Sequence, residues 1–504
     1  MRVVFFAALV LYLLTSYGGV RSPDAEVTFE TCDALRGGGT WAVQGASAWE
    51  GFALAPGSDQ RRYSIFGPLQ PLLCVPVLAV VDRLSPAGWY ERAGIAIPPS
   101  HYVGPGLRQA ALREPATNAG AHARRSVVAW IFNPVVSAIG AALVFRIATR
   151  LGVATGGAFA ASALHGAGSL AWPYAGTFFS EPLATALVLL SLDAVLAAKG
   201  RAWPMVVGGA AIGLATLAHV SAILFVPFFA AFAWTNVEPA RRRRALEAFL
   251  LGAMPVLASL AAFNVLRFGD PFETGRTVDG DLALEFGYGR FVPPWRGLIG
   301  LLGGAKGILL TCPAVVLGLF AWPAFHRRAR ALSWTIAAAA AARLIFIASR
   351  SDWHGGFSHG PRYLVPLIPL LLLPVAVWVD EALREGRYRA VVAGSVAGFA
   401  CALVTWQLVA GEVFTWLHSL RLVATSQGLD ILAGDRLYLD WSFAPIAGGL
   451  FHARPAPMLL SAWFDSARSL WLAGSAVLAV AWAAGAVALL LPAAPPTLAA
   501  RAAR

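Results

Sequence analysis

Apolar runs of about membrane-spanning length recur along this chain, and the short loops between them carry charge that is almost all arginine. A helix needs about 20 apolar residues to cross the hydrocarbon of a bilayer. The runs place spans near 3–20, 127–145, 152–171, 182–198, 203–218, 221–234, 246–266, 304–323, 331–349, 363–379, 390–410 and 468–492. The composition agrees: 58% of the 504 residues are hydrophobic and 13% charged, and the mean hydropathy is +0.64. Soluble domains carry roughly 25% charged residues. The expected fold is therefore an all-α polytopic membrane protein, a bundle of about 12 transmembrane helices.

Orientation follows from the arginines. They cluster in "FRIATRLG" (Arg146, Arg150), "KGRAW" (Lys199, Arg201), "EPARRRRA" (Arg241 to Arg244), "HRRARA" (Arg327, Arg328, Arg330) and "REGRYRA" (Arg384, Arg387, Arg389), with Arg501 and Arg504 in the tail. With these spans, every cluster falls on the side of the N-terminus, which the positive-inside rule makes the cytoplasm. The reading is a multi-pass protein of the inner (plasma) membrane with both termini cytoplasmic. The net charge of +12 is then a topology signal, and nucleic acid is not an expected partner. Were 63–84, "YSIFGPLQPLLCVPVLAVVDRL", another span, every later cluster would change sides. Pro68, Pro71 and Pro76 also break it, so it is read as an interfacial or re-entrant element. The first outside loop then covers about 21–125. Other large outside segments are about 267–303, 350–362 and 411–467. A cleaved signal peptide over residues 1–20 is the competing reading, and it leaves Asp24 on the same side. Cys32, Cys74, Cys312 and Cys401 show no zinc spacing. Buried free thiols are favoured over a Cys32–Cys74 disulfide.

Four outer features combine residues suited to chemistry. In "SPDAE", Ser22 and Pro23 are a helix cap and first turn, and Asp24 and Glu26 are either complements to the helix dipole or a general base or cation ligand. In "AWPYAGTFFSEPL", Glu181 opens a span with Ser180 as its cap, and an ionisable group there is a functional candidate. In "GGAKGILLTCP", Lys306 is one of only two lysines, either snorkelling to the interface or placed for a phosphate. In "SDWHGGFSHGPRYLVPLIP", Asp352, His354, His359 and Arg362 crowd a glycine-rich loop that runs into a span. An arginine fork beside histidines suits a phosphate; the alternative, an interfacial belt anchored by Trp353, Phe357 and Tyr363, is disfavoured by the charge density of the loop. GxGxxG, P-loop, HExxH and GxSxG motifs are absent, so no nucleotide cofactor is expected.

The order of these pieces resembles the GT-C superfamily of membrane glycosyltransferases, in particular bacterial relatives of dolichyl-phosphate-mannose protein mannosyltransferases (glycosyltransferase family 39-like) and of aminoarabinose transferases. The matching stretches are "SPDAE", "EVTFETCDALRGGGTWAV", "YSIFGPLQPLLCVPV", "LVFRIATRLG", "AWPYAGTFFSEPLATALVLL", "NVLRFGDPFETG", "GAKGILLTCPAVVLGL" and "GGFSHGPRYLVPLIPLLL", over about residues 1–380. The resemblance implies a GT-C-like bundle with interfacial helices in its first outside loop. It divides the chain into a catalytic module, 1–410, and an outside loop plus last helix, 411–504. It implies transfer of a sugar from a polyprenyl-phosphate donor to a protein, lipid or polysaccharide acceptor on the extracytoplasmic side, with membrane lipid around it. The implied catalytic acids are Asp24, with Glu26 beside it, and Glu181. Lys306 and Arg362 would hold the donor phosphate, with His354, His359 and Tyr363 beside them. Metal dependence stays open, because "DAE" departs from the DxD of metal-binding members. A transporter or flippase of a lipid-linked sugar would place polar groups near the midplane rather than at outer ends. A non-catalytic scaffold would leave the first-loop acids without a requirement.

Overall fold

Apolar sequence around the full helix circumference puts one span at the centre. Helix α15 (Ile368–Arg384), "IPLLLLPVAVWVDEALR", follows a 3-10 turn over Arg362–Leu367, and 89% of the apolar window of Arg362–Arg384 is buried within the protein. Around it lie α7 (Glu181–Ala198), α4 (Ala119–Arg150), α5 (Thr155–Ala167), α13 (Ala314–Arg328) and α16 (Tyr388–Ala410). The last helix, α18 (Ala467–Leu490), is peripheral: none of its apolar window is buried. The computed structural model describes residues 1–16, 20, 22–43, 53–84, 119–277, 290–356, 358–411, 428, 436–446 and 467–490. Most of the 411–467 loop, much of the first outside loop and the tail arginines Arg501 and Arg504 lie outside these residues.

The expected spans fall on helix with one exception: 304–323 is not a single helix but the short helix Ile308–Thr311 followed, after a break, by α13. Among the described residues, seven helices are long and apolar enough to cross a membrane. An eighth candidate is a broken pair, Pro294–Thr311 with Ala314–Arg328, bent by 90°. Shorter apolar helices are α1 (Arg2–Thr15), α8 (Ala202–Ala218) and the segment Val220–Thr235, whose α-helical part is α9 (Val226–Thr235). Helices α8 and α10 (Arg242–Phe268) touch backbone to backbone. A Cβ at Gly209 would sit 1.8 Å from the Phe249 carbonyl oxygen, and one at Gly252 2.0 Å from that of Val206. Small residues at such crossings let helices close where lipid supplies no hydrophobic drive.

The segment after α1 carries two helices, α2 (Pro23–Gly38) and α3 (Leu69–Leu84); the prolines that the sequence reading expected to break the second do not, and α3 runs on through Pro76. A feature that reading did not contain is a hairpin, β1 (Leu54–Pro56) paired antiparallel with β2 (Arg62–Ser64). Buried Arg267, from "NVLRFGDPFETG", fastens it: the guanidinium donates to the Ser64 carbonyl and the Asn264 side chain and lies 4.0 Å from the Phe263 ring centroid. The described cysteines are all free and buried.

Candidate active site at the arginine-poor end

Local sequence fixes one carboxylate. The Ser22 hydroxyl accepts the Ala25 amide at 3.2 Å, Pro23 fills the first helical turn, and Gly39 closes α2 at φ 61°. This is the capped start that "SPDAE" predicts. Its first turn aims Asp24 across the protein at Arg362. The Nη1 of Arg362 donates to Asp24 Oδ2 at 2.5 Å, joining positions 338 residues apart. The loop before Arg362 folds around it. Gly355 and Gly360 adopt φ of 66° and 73°, and a Cβ at Gly355 would lie 2.8 Å from the Arg362 side chain. Only glycine supplies both the conformation and the room.

A second carboxylate stands on the other side of the guanidinium. Glu181 opens α7 and is buried; its Oε1 is 3.9 Å from Arg362 Nε and 3.9 Å from His219 Nε2. Ser180 occupies the cap position, but its hydroxyl makes no capping bond, unlike the expectation. Arg362 lies 4.9 Å from the centroid of the Phe179 ring and 5.0 Å from that of Tyr363. Its Nε is buried and has no hydrogen-bond acceptor among the described residues. A buried guanidinium N–H left open costs free energy, which an anionic oxygen would offset.

Behind these groups runs a scaffold of further polar residues. His219 Nδ1 and the Ser221 hydroxyl are 2.7 Å apart. Fully buried Arg343, in helix α14 (Arg330–Ala348), donates to the Ser221 carbonyl at 2.8 Å, the Ser221 hydroxyl at 3.0 Å and the Tyr363 carbonyl at 2.8 Å. Burial pushes the His219 imidazole well below its ordinary value, and the charges of Arg343, Arg276, Arg362 and Arg350 push the same way. Burial and these charges both disfavour the imidazolium form of His219. On the Tyr363 side, Arg362 Nη2 donates to the Tyr363 hydroxyl at 3.3 Å, which donates to Asp352 at 3.3 Å. Arg350 forks onto Asp352 with two bonds of 2.7 Å. Burial alone would raise the Asp352 carboxyl, but Arg350 outweighs it and holds the group below its ordinary value.

Of the candidates read from sequence, Asp24, Glu181, Arg362 and Tyr363 meet in one cluster. Glu26 does not join it; its carboxylate is buried against Arg125, 3.1 Å away. Lys306 is buried beneath the 350–360 loop. Its ammonium donates to the His354 carbonyl at 3.0 Å, the Ser358 hydroxyl at 2.9 Å and the Gly356 carbonyl. Those three bonds use the three protons an ammonium has. His354 stacks on Tyr438 at 3.8 Å and accepts the Gly356 amide at 3.0 Å. His359 is buried edge-on to Tyr174, with ring centroids 6.1 Å apart. His219, Ser221, Arg343 and Arg350 were not singled out from sequence. Arg343 carried a usable signal, an ionisable group within a span.

As a metal site the cluster does not fit. Asp24 and Glu26 are held by different arginines, and no group of three His, Cys, Asp or Glu side chains among the described residues could hold an ion. All these site groups lie at the helix ends opposite Arg146, Arg150, Lys199, Arg241 to Arg244, Arg327 to Arg330 and Arg384 to Arg389.

No family model matches the sequence, and no curated protein matches it. Solved structures do. The Cupriavidus metallidurans ArnT bound to undecaprenyl phosphate is similar at 15% identity and a TM-score of 0.44, over 89% of this chain and 77% of that one. The Archaeoglobus fulgidus oligosaccharyltransferase in its apo form is similar at 12% identity and a TM-score of 0.44, over 98% of this chain and 56% of that one. The same organism's AglB, in complex with an inhibitory peptide and a dolichol-phosphate, is similar at 12% identity and a TM-score of 0.40, over 99% and 57%. At these values the likenesses carry no argument about activity. The chain itself is a multi-pass helical membrane protein.

Proposed function

We propose that this protein is a membrane glycosyltransferase that moves a sugar from a polyprenyl-phosphate donor to an acceptor on the extracytoplasmic side of the inner membrane. The observation that supports it is the open, buried Nε–H of Arg362, set between Asp24 and Glu181. A donor phosphate placed on this N–H and on Nη1 competes with Asp24 for the guanidinium. Binding the donor then releases the Asp24 carboxylate to act as base. The acceptor oxygen or nitrogen attacks the anomeric carbon, its proton goes to Asp24, and the bond from that carbon to the phosphate oxygen breaks. The lipid phosphate leaves with the electron pair and is stabilised by Arg362. Displacement from the face opposite the leaving group inverts the anomeric centre. Glu181 balances Arg362 once Asp24 lets go, and Tyr363 holds the far edge of the fork. Lys306 acts as the post of the 350–360 loop, with His354 and His359 shaping it. The acceptor is a protein, lipid or polysaccharide reaching the same outer mouth.

The test is transfer of label from a radiolabelled polyprenyl-phosphate hexose in proteoliposomes carrying membrane extract as acceptor source. Transfer by the wild type and its loss in Arg362→Ala are expected. Label remaining on the donor with every acceptor tried would reject the assignment. Equal rates for the wild type and Asp24→Asn would remove Asp24 as base.

A further inference from the structure

At the other ends of the helices the bundle shapes a half-open apolar space. A cavity of about 680 Å³ lies between α1, α5, α13, α15, α16 and α18, within the roughly 300–1,000 Å³ usual for ligand sites. Its wall is alanine, glycine, valine, leucine and aromatic carbon, with Ser162 and Ser395 as its hydroxyl residues. The Ser162 hydroxyl is used on the Ala141 carbonyl, and the Trp482 indole N–H on the Ser395 carbonyl. Two glycines of α16 admit the indoles that shape it. A Cβ at Gly394 would lie 3.0 Å from the Trp378 ring and one at Gly398 2.9 Å from that of Trp482. The cavity can therefore take hydrocarbon and offers little to a polar ligand.

Depth and charge narrow the occupant. The lining runs from Ala390 to Gly398 on α16 and from Val477 to Leu489 on α18, about 12–18 Å at 1.5 Å per residue. That is about half of a hydrocarbon core roughly 30 Å thick, the depth of one leaflet. Its start is at the arginine-rich ends. Arg2 is two positions before the lining residue Val4, and Arg389 immediately precedes Ala390. Both are exposed, and neither forms an ion pair among the described residues. Their neighbours Arg384 and Arg387 are already paired, with Asp380 at 2.9 Å and Glu385 at 2.7 Å.

We infer that the cavity holds an acyl chain of an anionic phospholipid from the arginine-side leaflet, with the lipid phosphate on Arg2 and Arg389. This lipid joins α18 to the bundle from a side where protein covers little of that helix. The donor lipid of the proposed reaction is a poor occupant. Its phosphate belongs at Arg362, at the opposite end of α15, and would leave Arg2 and Arg389 without an anion.

Native mass spectrometry and thermal unfolding of the detergent-purified full chain, supplied with phosphatidylglycerol, phosphatidylcholine or undecaprenyl phosphate, test this. Retention of phosphatidylglycerol and a raised Tm with that lipid are expected. Replacing both Arg2 and Arg389 with Gln should weaken phosphatidylglycerol by about 30-fold, at about a surface arginine's contribution for each. Filling the cavity with Ala397→Phe should abolish retention while the lipid-free Tm stays at or above the wild-type value. Ala163→Leu serves the same purpose if the larger side chain prevents folding. Equal retention of phosphatidylcholine, undisturbed phosphatidylglycerol in the filled variants, displacement by undecaprenyl phosphate, or no lipid retained at all would each overturn the inference. These readouts do not involve sugar transfer, so they stand apart from the outcome at Arg362.

Discussion

Two clusters of arginine and carboxylate lie at opposite ends of the bundle, and they are built differently. At the arginine-rich end, buried Asp193 of α7 takes Arg146 Nε at 2.9 Å and Arg150 Nε at 2.5 Å, both from α4. The partners are 47 and 43 residues away and come from one neighbouring helix. Cations outnumber the acid, and both arginines reach solvent with about a third of their side chains exposed. At the arginine-poor end, one buried guanidinium sits between two acids drawn from α2 and α7, with His219 behind. Acid is in excess over the central cation, and an N–H stays open. The first arrangement completes its own bonding and ties two helices. The second is held together only by the whole fold and leaves one guanidinium N–H without an acceptor among the described residues.

The sharpest way to break that contrast is Asp24→Asn. It should lower kcat by about 10²–10⁴-fold, the usual contribution of a positioned base. Because the amide no longer competes for Arg362, the donor KM should not rise and is expected to fall; initial rates against donor concentration check both. Next comes Arg362→Lys, which keeps charge but loses the fork. A loss of about 10²-fold in kcat/KM is expected, comparable to removing one donor to a developing oxyanion. Asp193→Asn should do the reverse of both. It should lower stability by roughly 1–3 kcal/mol, read by thermal unfolding, while turnover per folded molecule stays near wild type. Turnover that falls with Asp193 as it does with Asp24 would erase the distinction between the two ends.

The smallest effect concerns pH. His219 has a folded value depressed by burial first and by surrounding arginines second. The unfolded chain therefore binds its proton first, near 6.5, and stability is lost as pH falls below that value toward the folded one. Between pH 7.5 and 5.5, wild-type Tm should decline by more than that of His219→Gln, which cannot take up the proton. Parallel curves would show that His219 titrates normally.

Legibility from sequence followed the range of the physics. Spans, their common polarity and the capped start of α2 depend on neighbours within about 20 residues, and they were readable. The glycine-rich loop around Arg362 was readable as a charged loop between spans. That Asp24 and Arg362 would meet was not, because nothing local links positions 338 residues apart; only the resemblance had put both in one site. Glu26 shares the local chemistry of Asp24, and helix phase separates them: two residues on, about 200° around α2, it finds Arg125 instead. Lys306 looked like a free charge between glycines. Its burial beneath three oxygens comes from the 90° break before α13, which folds that segment under the loop. His219 sits in a short turn between apolar segments with no local pattern to mark it. The hairpin held by Arg267 escaped because its two strands are three residues each.

The enclosure of Lys306 also decides how this protein can be labelled. The chain has two lysines, and the other, Lys199, ends α7 exposed with φ 44°. Lys199 lies at the arginine-rich end of the bundle. An amine-reactive dye applied to folded protein should therefore mark only that end. In intact cells, whether a reagent that cannot cross the membrane marks Lys199 before or only after the membrane is opened reads which side the arginine-rich end faces, and the proposed orientation expects labelling only after opening.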